Sequence, residues 1–193
     1  MTAEYDRPVW NEKVISRGGS FLQSWEWGEL QKKRNREIYR EYNQDNLALI
    51  IKHSFPLGFS YFYSPHGPIT RDVSTLQAYL TRQTLESRKD KTIFLRIEPH
   101  FTLEQPSREK LEKIGLRETE PVQPKQTRIL DLKKSETELY EDLEPATRYA
   151  IRLAGRRGVR IRRIEEGKGK YFEAFWDILK ETAQRQGFKI YAK

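Results

Sequence analysis

Two short strands joined by a polar turn are encoded by residues 37–53, EIYREYNQDNLALIIKH. β-Branched and aromatic residues favour extended backbone on both sides, and the run Asn43-Gln-Asp-Asn46 between them has the composition of a hairpin turn. We therefore predict strands at 37–42 and 47–53. This hairpin makes a sheet the starting point of the fold.

The sequence on either side of the hairpin predicts a domain that mixes helices with strands. Before it, a polar N-terminal arm leads to a short helix with Ser24 as N-cap and with Trp25, Trp27 and Leu30 facing inward. After it, the loop 64–68, SPHGP, ends a third strand, because two prolines and a glycine do not allow repetitive structure. The other elements expected up to residue 133 are strands at 59–63, at 92–97, near Leu116 and at 127–132, and helices at 73–88 and 108–114. The predicted fold class is mixed α/β.

A second, shorter domain is predicted to begin at residue 134. Ser135-Glu-Thr-Glu138 has the pattern of a capping box. An arginine-rich helix between Pro145 and Gly158, a strand at 159–164 and a helix at 170–185 follow. About 60 residues with one strand cannot cover the apolar faces of three helices. We therefore assign residues 1–133 to a first domain and 134–193 to the start of a second one, which we expect to be incomplete and only marginally stable.

The composition excludes several classes of site. Cysteine is absent, which excludes disulfides, thiolate nucleophiles and cysteine-bound metals, and the three histidines lack the spacing of metal ligands. No apolar run reaches the roughly 20 residues that span a bilayer, and the N-terminus lacks the hydrophobic region of a signal peptide. We expect a soluble, cytoplasmic protein without a bound metal.

Most of the positive charge lies in one stretch. Residues 148–170 hold nine basic side chains and two acidic ones, and the whole chain has a formal net charge of +8. Arg148, Arg152 and Arg156 follow one another at intervals of four residues and so share one helix face. This row is either an anion-binding surface, since each guanidinium offers a planar fork of donors, or a solvated face with cations near the helix C-terminus. The opposite face is expected to be buried and consists of Ala146, Tyr149, Ala150 and Leu153.

Six short strings occur in an order and spacing that together resemble one family. They are FLQSWEWG at 21–28 followed by Lys32-Lys33, YSPHGP at 63–68, RIEP at 96–99, QPKQTRILDL at 123–132, RYAIRLA at 148–154 with Gly158-Val159, and ETAQRQGF at 181–188. Each string alone is weak evidence, but six in register are specific. Over essentially its whole length the chain resembles the Fem family of peptidoglycan bridge aminoacyltransferases.

The resemblance implies two domains with the fold of GCN5-related acetyltransferases. Fem enzymes move an amino acid from aminoacyl-tRNA to the side-chain amine of the peptide stem of a cell-wall precursor, either lipid II or the soluble UDP-linked muramyl pentapeptide. Neither a metal nor coenzyme A takes part, and the chain has no pyrophosphate loop of the coenzyme-A type. The implied partners are aminoacyl-tRNA and one of these precursors, with a peripheral contact to the inner membrane face.

The resemblance also implies three residues near the precursor. The family lysine that contacts the diphosphate falls at Gln31, so the neighbouring Lys32 is the candidate here, with a solvated charge as the alternative. His66 stands where the family commonly has Arg or Lys; it keeps a hydrogen-bond donor and gives up a permanent charge. Glu98 falls where the family has an acidic residue near the acceptor peptide. It either holds or deprotonates the amine, or only ends the strand.

Two functions follow from these observations. The first is an aminoacyltransferase of cell-wall assembly, of which these 193 residues are expected to be the N-terminal part. The residues that stabilise the transferred aminoacyl group in the family would then lie beyond Lys193. The alternative is a non-catalytic module whose arginine segment binds tRNA or anionic lipid head groups.

Overall fold

The computed structural model describes residues 6–87, 91–124, 126–163 and 168–190. The chain divides into two compact units, Met1–Thr127 and Arg128–Lys193. This division lies close to the boundary predicted after residue 133. The assignment of both units as acetyltransferase-like domains stays a prediction. Within the described ranges, no helix combines the length and the hydrophobicity that crossing a bilayer requires.

The first unit is built around a six-stranded sheet. Its strands are β1 (Ile38–Tyr42), β2 (Asn46–Ser54), β3 (Ser60–Ser64), β4 (Ile69–Thr70), β5 (Thr92–Ile97) and β6 (His100–Phe101). Its helices are α1 (Arg7–Ser16), α2 (Trp25–Lys33), α3 (Val73–Ser87) and α4 (Arg108–Lys113), with single 3₁₀ turns at Phe21–Gln23 and Pro56–Gly58. The predicted mixed α/β class is confirmed.

The order of the strands places the C-terminal ends of β3 and β5 side by side. The order is β5-β3-β2-β4-β6, and β1 pairs with β2. β2 is antiparallel to β1, β3 and β4, whereas β3 is parallel to β5. In that parallel pair Ser64 lies opposite Ile97. The loop after β3 and the residue after β5 are therefore neighbours.

Two apolar clusters cover the two faces of β2. On one face Ala48 and Ile50 pack with Phe62, Leu76, Tyr79 and Phe101. On the other face Leu47 and Leu49 pack with Trp10, Val14 and Ile69. Successive residues of a strand point to opposite faces, which is why the unbroken apolar run of β2 is buried throughout. Each large side chain buried in this way contributes about 1.5–3 kcal/mol.

Three details of the first unit differ from the sequence-based expectations. The N-terminal arm contains α1, which has a proline in its first turn and buries Trp10 and Val14 one turn apart. Leu30 is 44% exposed, whereas Trp25 and Trp27 pack against the second cluster as predicted. The strand expected near Leu116 is absent from the described residues there, and this leucine instead packs against the first cluster.

The second unit contains the helices α5 (Glu136–Glu141), α6 (Pro145–Arg156) and α7 (Lys168–Gln186). The capping box predicted at Ser135 and Glu138 is confirmed. The strands predicted at 127–132 and 159–164 are wrong as far as these residues are described, which excludes residue 164. A strand needs a hydrogen-bonded neighbour, and the described residues of this unit form none. Ile129 and Ile161 consequently stay 89% and 97% exposed.

Candidate active site

Gln23 holds the loop between β3 and β4 in place. Its side chain is fully buried, its Nε2 donates to the carbonyl of Pro65 at 2.6 Å, and its Oε1 accepts from the Leu49 N–H at 2.8 Å. Gly67 packs so closely that a Cβ there would come within 2.5 Å of Gln23 Nε2. The glutamine of the first string therefore fixes the loop that the second string forms.

The carboxylate of Glu98 lies beside this loop, directly after β5. Its Oε2 accepts hydrogen bonds from the Tyr63 hydroxyl and from the His66 N–H, each at 3.0 Å, and its Oε1 accepts from the Gln123 N–H at 3.3 Å. The Gln123 Nε2 also donates to the Tyr63 oxygen at 3.2 Å. Three of the family-like strings thus meet around one carboxylate.

Tyr63 acts as a donor to this carboxylate. Burial raises the pKa of the Tyr63 hydroxyl, a hydrogen bond from Gln123 lowers it, and the charge of Glu98 raises it again, so the net change is upward. The hydroxyl therefore keeps its proton at neutral pH. Among the described residues, Glu98 Oε1 accepts a single, long hydrogen bond. That oxygen retains capacity to accept a hydrogen bond from a ligand.

Glu98 lies where two clefts adjoin. The first has a volume of about 540 Å³ and the second, along β5 and α4, about 950 Å³. Glu98, Pro99, Pro106 and Leu111 line both of them. Polar side chains of the first cleft include Ser20, His66, His100 and Gln105. Volumes in this range accommodate small molecules or short peptide segments, so an amine-bearing chain could reach the carboxylate.

The structure brings His66 and Glu98 together through the backbone of His66. Its φ is +46°, a left-handed conformation that residues other than glycine seldom adopt, and its N–H donates to Glu98. His66 also lines the first cleft. The observed contact with Glu98 therefore does not use the side chain that the sequence analysis considered.

Lys32 lies apart from this cluster. It is in the last turn of α2, and its Nζ forms an ion pair with Glu29 Oε1 at 3.1 Å. The Pro65 loop is held by Gln23, just before the start of the helix, and Lys32 follows about 10 Å or more further along the axis. Neither of the clefts that Glu98 lines includes Lys32. His66 and Glu98 are neighbours, and the role predicted for Lys32 beside them stays a prediction.

The arginines of α6 are not equivalent. Arg148 Nη1 donates to the carbonyls of Glu141 and Leu143 at 2.7 and 2.5 Å, so this residue connects α5 with α6. Arg152 Nη1 donates to the Tyr140 hydroxyl at 3.2 Å. Arg152 and Arg156 are exposed, whereas Arg148 is half-buried. Of the three, Arg152 and Arg156 remain accessible to an anionic ligand.

The face of α6 opposite the arginines was expected to be buried, and this prediction is wrong. Tyr149 is 54% exposed, Ala146 and Ala150 are also exposed, and Leu153 is half-buried. An apolar helix face is buried only where a neighbouring surface, such as a sheet, packs against it. The described residues of the second unit contain no such sheet.

Sequence reasoning identified Glu98 but not the side chains that hold it. Tyr63 and Gln123 were recognised as members of motif strings, without a role. Their membership was the available signal, because both positions belong to strings that resemble the family. The contact of Tyr63 with Glu98 depends on the parallel register of β3 and β5, in which Tyr63 lies opposite Arg96. Gln123 reaches both residues from a loop distant in the chain, and neither contact is evident from local sequence.

Arg40 was also missed. Its guanidinium lies 3.7 Å from the centre of the Trp25 ring and pairs with Glu29 at 3.0 Å, with the side chain 8% exposed. A Cβ on Gly28 would approach its Nη2 to 2.4 Å. Trp25 and Gly28 of the first string therefore enclose a buried arginine, which gives them a structural role.

Comparison with known proteins gives matches both by sequence and by structure. The model of the FemAB family matches residues 110–192. The lipid II:glycine glycyltransferase of Staphylococcus aureus (strain COL) is 24% identical over an alignment that covers 88% of this chain and 44% of that protein. The chain thus spans less than half the length of this relative. A solved structure described as a probable acetyltransferase aligns with a TM-score of 0.39 at 13% identity, over 65% of this chain and 90% of that one. The two sequence matches bear out the resemblance to the Fem family that the motif strings carry.

Proposed function

We propose that the chain serves in an aminoacyltransferase of peptidoglycan cross-bridge formation, with Glu98 as the residue that receives the acceptor amine. The observation that carries this proposal is the Glu98 carboxylate, which Tyr63, His66 and Gln123 hold where two clefts adjoin. The resemblance to the Fem family supports it, since the relative with 24% identity is a glycyltransferase named for lipid II.

The chemistry requires a neutral amine. A lysine-type amine arrives as an ammonium ion at neutral pH, and Glu98 Oε1 accepts a hydrogen bond from it. The carboxylate first takes up one proton from the ammonium ion, and the neutral nitrogen then attacks the carbonyl of the aminoacyl ester. The new amide C–N bond forms, the ester C–O bond breaks, and a second proton passes from the nitrogen to the leaving ribose oxygen, which departs as a hydroxyl. The ester is already activated, so alignment of the two reactants is the main contribution of the protein.

The proposed donor is aminoacyl-tRNA, and the proposed acceptor is lipid II or the UDP-linked muramyl pentapeptide. No metal or coenzyme A is required, because the ester itself supplies the activated acyl group. The exposed Arg152 and Arg156 are proposed to contact phosphates of the donor, since guanidinium groups match phosphate oxygens in geometry and charge. Lys32 keeps a proposed role at the precursor diphosphate only if the precursor extends to the far end of α2.

Binding of the soluble UDP-linked pentapeptide, measured by calorimetry, tests the role of Glu98. The comparison is between the precursor with a free side-chain amine and the same precursor acetylated on that amine. We expect the parent protein to prefer the free amine by roughly tenfold, as for a charge-assisted hydrogen bond, and Glu98→Gln to lose the preference. Glu104→Gln, at an exposed glutamate outside both clefts, is the matched control. Equal binding of both precursors by the parent would contradict the proposal.

A second candidate is a non-catalytic module that binds tRNA, which the concentration of basic residues in 148–170 favours. The double variant Arg152→Gln/Arg156→Gln tests it while leaving Arg148 to connect α5 and α6. If both arginines contact phosphates, the slope of the logarithm of the tRNA binding constant against the logarithm of the salt concentration should become shallower by about 0.7–0.9 for each arginine removed. Arg34→Gln, at an exposed arginine of the first unit outside both clefts, is the control. Binding of tRNA without any binding of precursor would favour the module over the enzyme.

A further inference from the structure

The hairpin tip between β2 and β3 exposes large apolar side chains. Within residues 55–59, FPLGF, Phe55 is 42%, Leu57 86% and Phe59 44% exposed. The segment contains no charged residue. A group of exposed apolar side chains of this size indicates an interaction surface rather than ordinary scatter.

The backbone of the tip presents Leu57 outward. The Phe55 N–H donates to the Phe59 carbonyl at 2.7 Å and closes the turn. Leu57 has a φ of +66°, which is a rare, strained conformation for a bulky residue. Asn or Gly would fit this position with less strain. A leucine in an exposed and strained position points to a function for its side chain.

Stacked rings support the base of the tip. The Tyr61 ring stacks on His53 at a centroid distance of 4.7 Å and on Phe94 at 4.9 Å, and Phe55 lies 5.3 Å from it. Ile93 and Phe94, at 59% and 47% exposure, continue the apolar surface onto the start of β5. Residues 55–59 line neither of the two clefts, so the tip is an exposed edge above stacked rings.

Basic residues border this edge. Lys91 precedes β5, is exposed, and its carbonyl accepts from the Ser60 N–H at 3.3 Å. Lys52 on β2 pairs with Glu37 at 3.2 Å. Burial lowers the pKa of His53, and the nearby charge of Arg36 lowers it further, so His53 is neutral and the exposed Arg36 supplies positive charge here. A protruding apolar tip beside cations has the chemistry that binds at the interface of a bilayer with anionic lipids.

We propose that residues 55–59 insert into the interfacial region of an anionic lipid bilayer. β5 runs from this end of the sheet to Glu98, and six residues at about 3.3 Å each place the Glu98 backbone about 20 Å from the tip end of the strand. The inference rests on the proposed function in one respect. The spacing of about 20 Å suits an acceptor whose peptide stem projects from a lipid anchor in the same bilayer.

Single-cysteine labelling tests the insertion directly, because the chain contains no cysteine. Leu57→Cys carries an environment-sensitive fluorophore, and Ile15→Cys on α1, where isoleucine is 75% exposed, is the matched control. Vesicles of equimolar phosphatidylcholine and phosphatidylglycerol should shift the emission at position 57 to the blue and leave position 15 unchanged. Equal shifts at both positions, or none at position 57, would overturn the proposal.

Co-sedimentation with the same vesicles provides a second readout. Leu57→Asn removes the apolar side chain and suits the positive φ, so we expect on the order of tenfold weaker binding with the fold intact. Ile15→Asn should bind as the parent does. Parent-like binding by Leu57→Asn, or a fluorophore shift that depends on protein concentration without vesicles, would overturn the proposal. Calorimetry with the soluble precursor needs no membrane, so failure of the proposed function would be seen separately.

Discussion

The two units of the chain both contain many aromatic residues but bury them to very different extents. In the first unit Trp10 is 1% and Tyr79 3% exposed, whereas in the second Phe172 is 43% and Phe175 57% exposed. The difference is the sheet: β2 offers two faces, each covered by helices and loops, and the described residues of the second unit contain no strand. Helical periodicity therefore indicates which residues can pack, and a neighbouring surface decides whether they do.

Amide hydrogen exchange should separate the two units most strongly. Amides of β2 hydrogen-bond to strands on both sides and should exchange only through global unfolding. Amides of α6 and α7 should exchange through local opening, at a free energy lower by about 5 kcal/mol or more. Mass spectrometry of exchanged peptides measures both. Equal, strong protection in α7 and β2 would show that the second unit is as stable as the first.

The next effect is the loss of a buried ring. Trp10→Ala removes a side chain from the second cluster and its Nε1 hydrogen bond to the Gln23 carbonyl at 2.7 Å. We expect the free energy of unfolding to fall by about 3–5 kcal/mol. Phe175→Ala, the control in the second unit, should cost less than about 1 kcal/mol because its ring is already half exposed. Urea denaturation measures the free energy of unfolding of both variants. Comparable losses would contradict the difference in packing between the two units.

Gln23→Leu should have a somewhat smaller effect on the first unit. Leucine is similar in size, but the Leu49 N–H and the Pro65 carbonyl both lose their partner in the interior. We expect a loss of about 2–4 kcal/mol together with release of the loop beside Glu98, seen as faster exchange of the His66 amide. Gln44→Leu, at an exposed glutamine in a turn, is the control. An unchanged melting temperature in Gln23→Leu would exclude this role for the glutamine.

In the second unit we expect the cap of α5 to contribute more to helix stability than side-chain packing does. Ser135 accepts from the Glu138 N–H, and the Glu138 carboxylate accepts from the Ser135 N–H at 2.8 Å. Ser135→Ala should cost about 1 kcal/mol of helix stability, detectable as reduced helical circular dichroism on heating. Ser135→Asp, which can also cap, should retain the parental signal. A parental signal in Ser135→Ala would show that other contacts hold α5.

The smallest expected effect concerns acid stability. A hydrogen bond from Ser74 and one from the Thr75 N–H hold the pKa of Asp72, which directly precedes α3, well below its ordinary value. The stabilisation is present above the unfolded pKa of about 3.9 and is lost as the pH falls through the folded pKa. Asp72→Asn keeps a cap and should match the parent at pH 7, yet lose less stability below about pH 4. Asp6→Asn is the control. If the free energy of unfolding of Asp72→Asn and of the parent depended on pH in the same way, the low pKa of Asp72 would not contribute to acid stability.

Local signals predicted the elements whose hydrogen bonds close within a few residues. Asn43 Oδ1 accepts from the N–H groups of Asp45 and Asn46, so the turn of the first hairpin is satisfied by its own residues. Ser24 accepts from the Trp27 N–H and starts α2 in the same way. α1 was missed because its buried side is narrow: Trp10 and Val14 alone are buried on a helix that is otherwise polar.

In the candidate site, too, local sequence predicted some features and tertiary contacts decided the others. Glu98 could be proposed from its motif string, since a strand end followed by Pro99 is a local feature. Its partners could not, because Tyr63 and Gln123 are 60 positions apart in the chain and meet through the sheet. Lys32 was grouped with Glu98 by motif order, but its distance from the Pro65 loop depends on the direction in which α2 runs.

Turns, caps and the mixed α/β pattern of this protein therefore follow from the chain alone, because their donors and acceptors lie within four residues of one another. Pairing of β3 with β5, the position of the Glu98 carboxylate and the exposure of α6 were decided by tertiary structure. Each of these depends on a surface contributed by distant residues. Leu49 has such neighbours and is fully buried, whereas Ile161 has none among the described residues and is 97% exposed. A strand or an apolar face has no stabilising partner of its own, so the neighbour that the fold supplies determines its state.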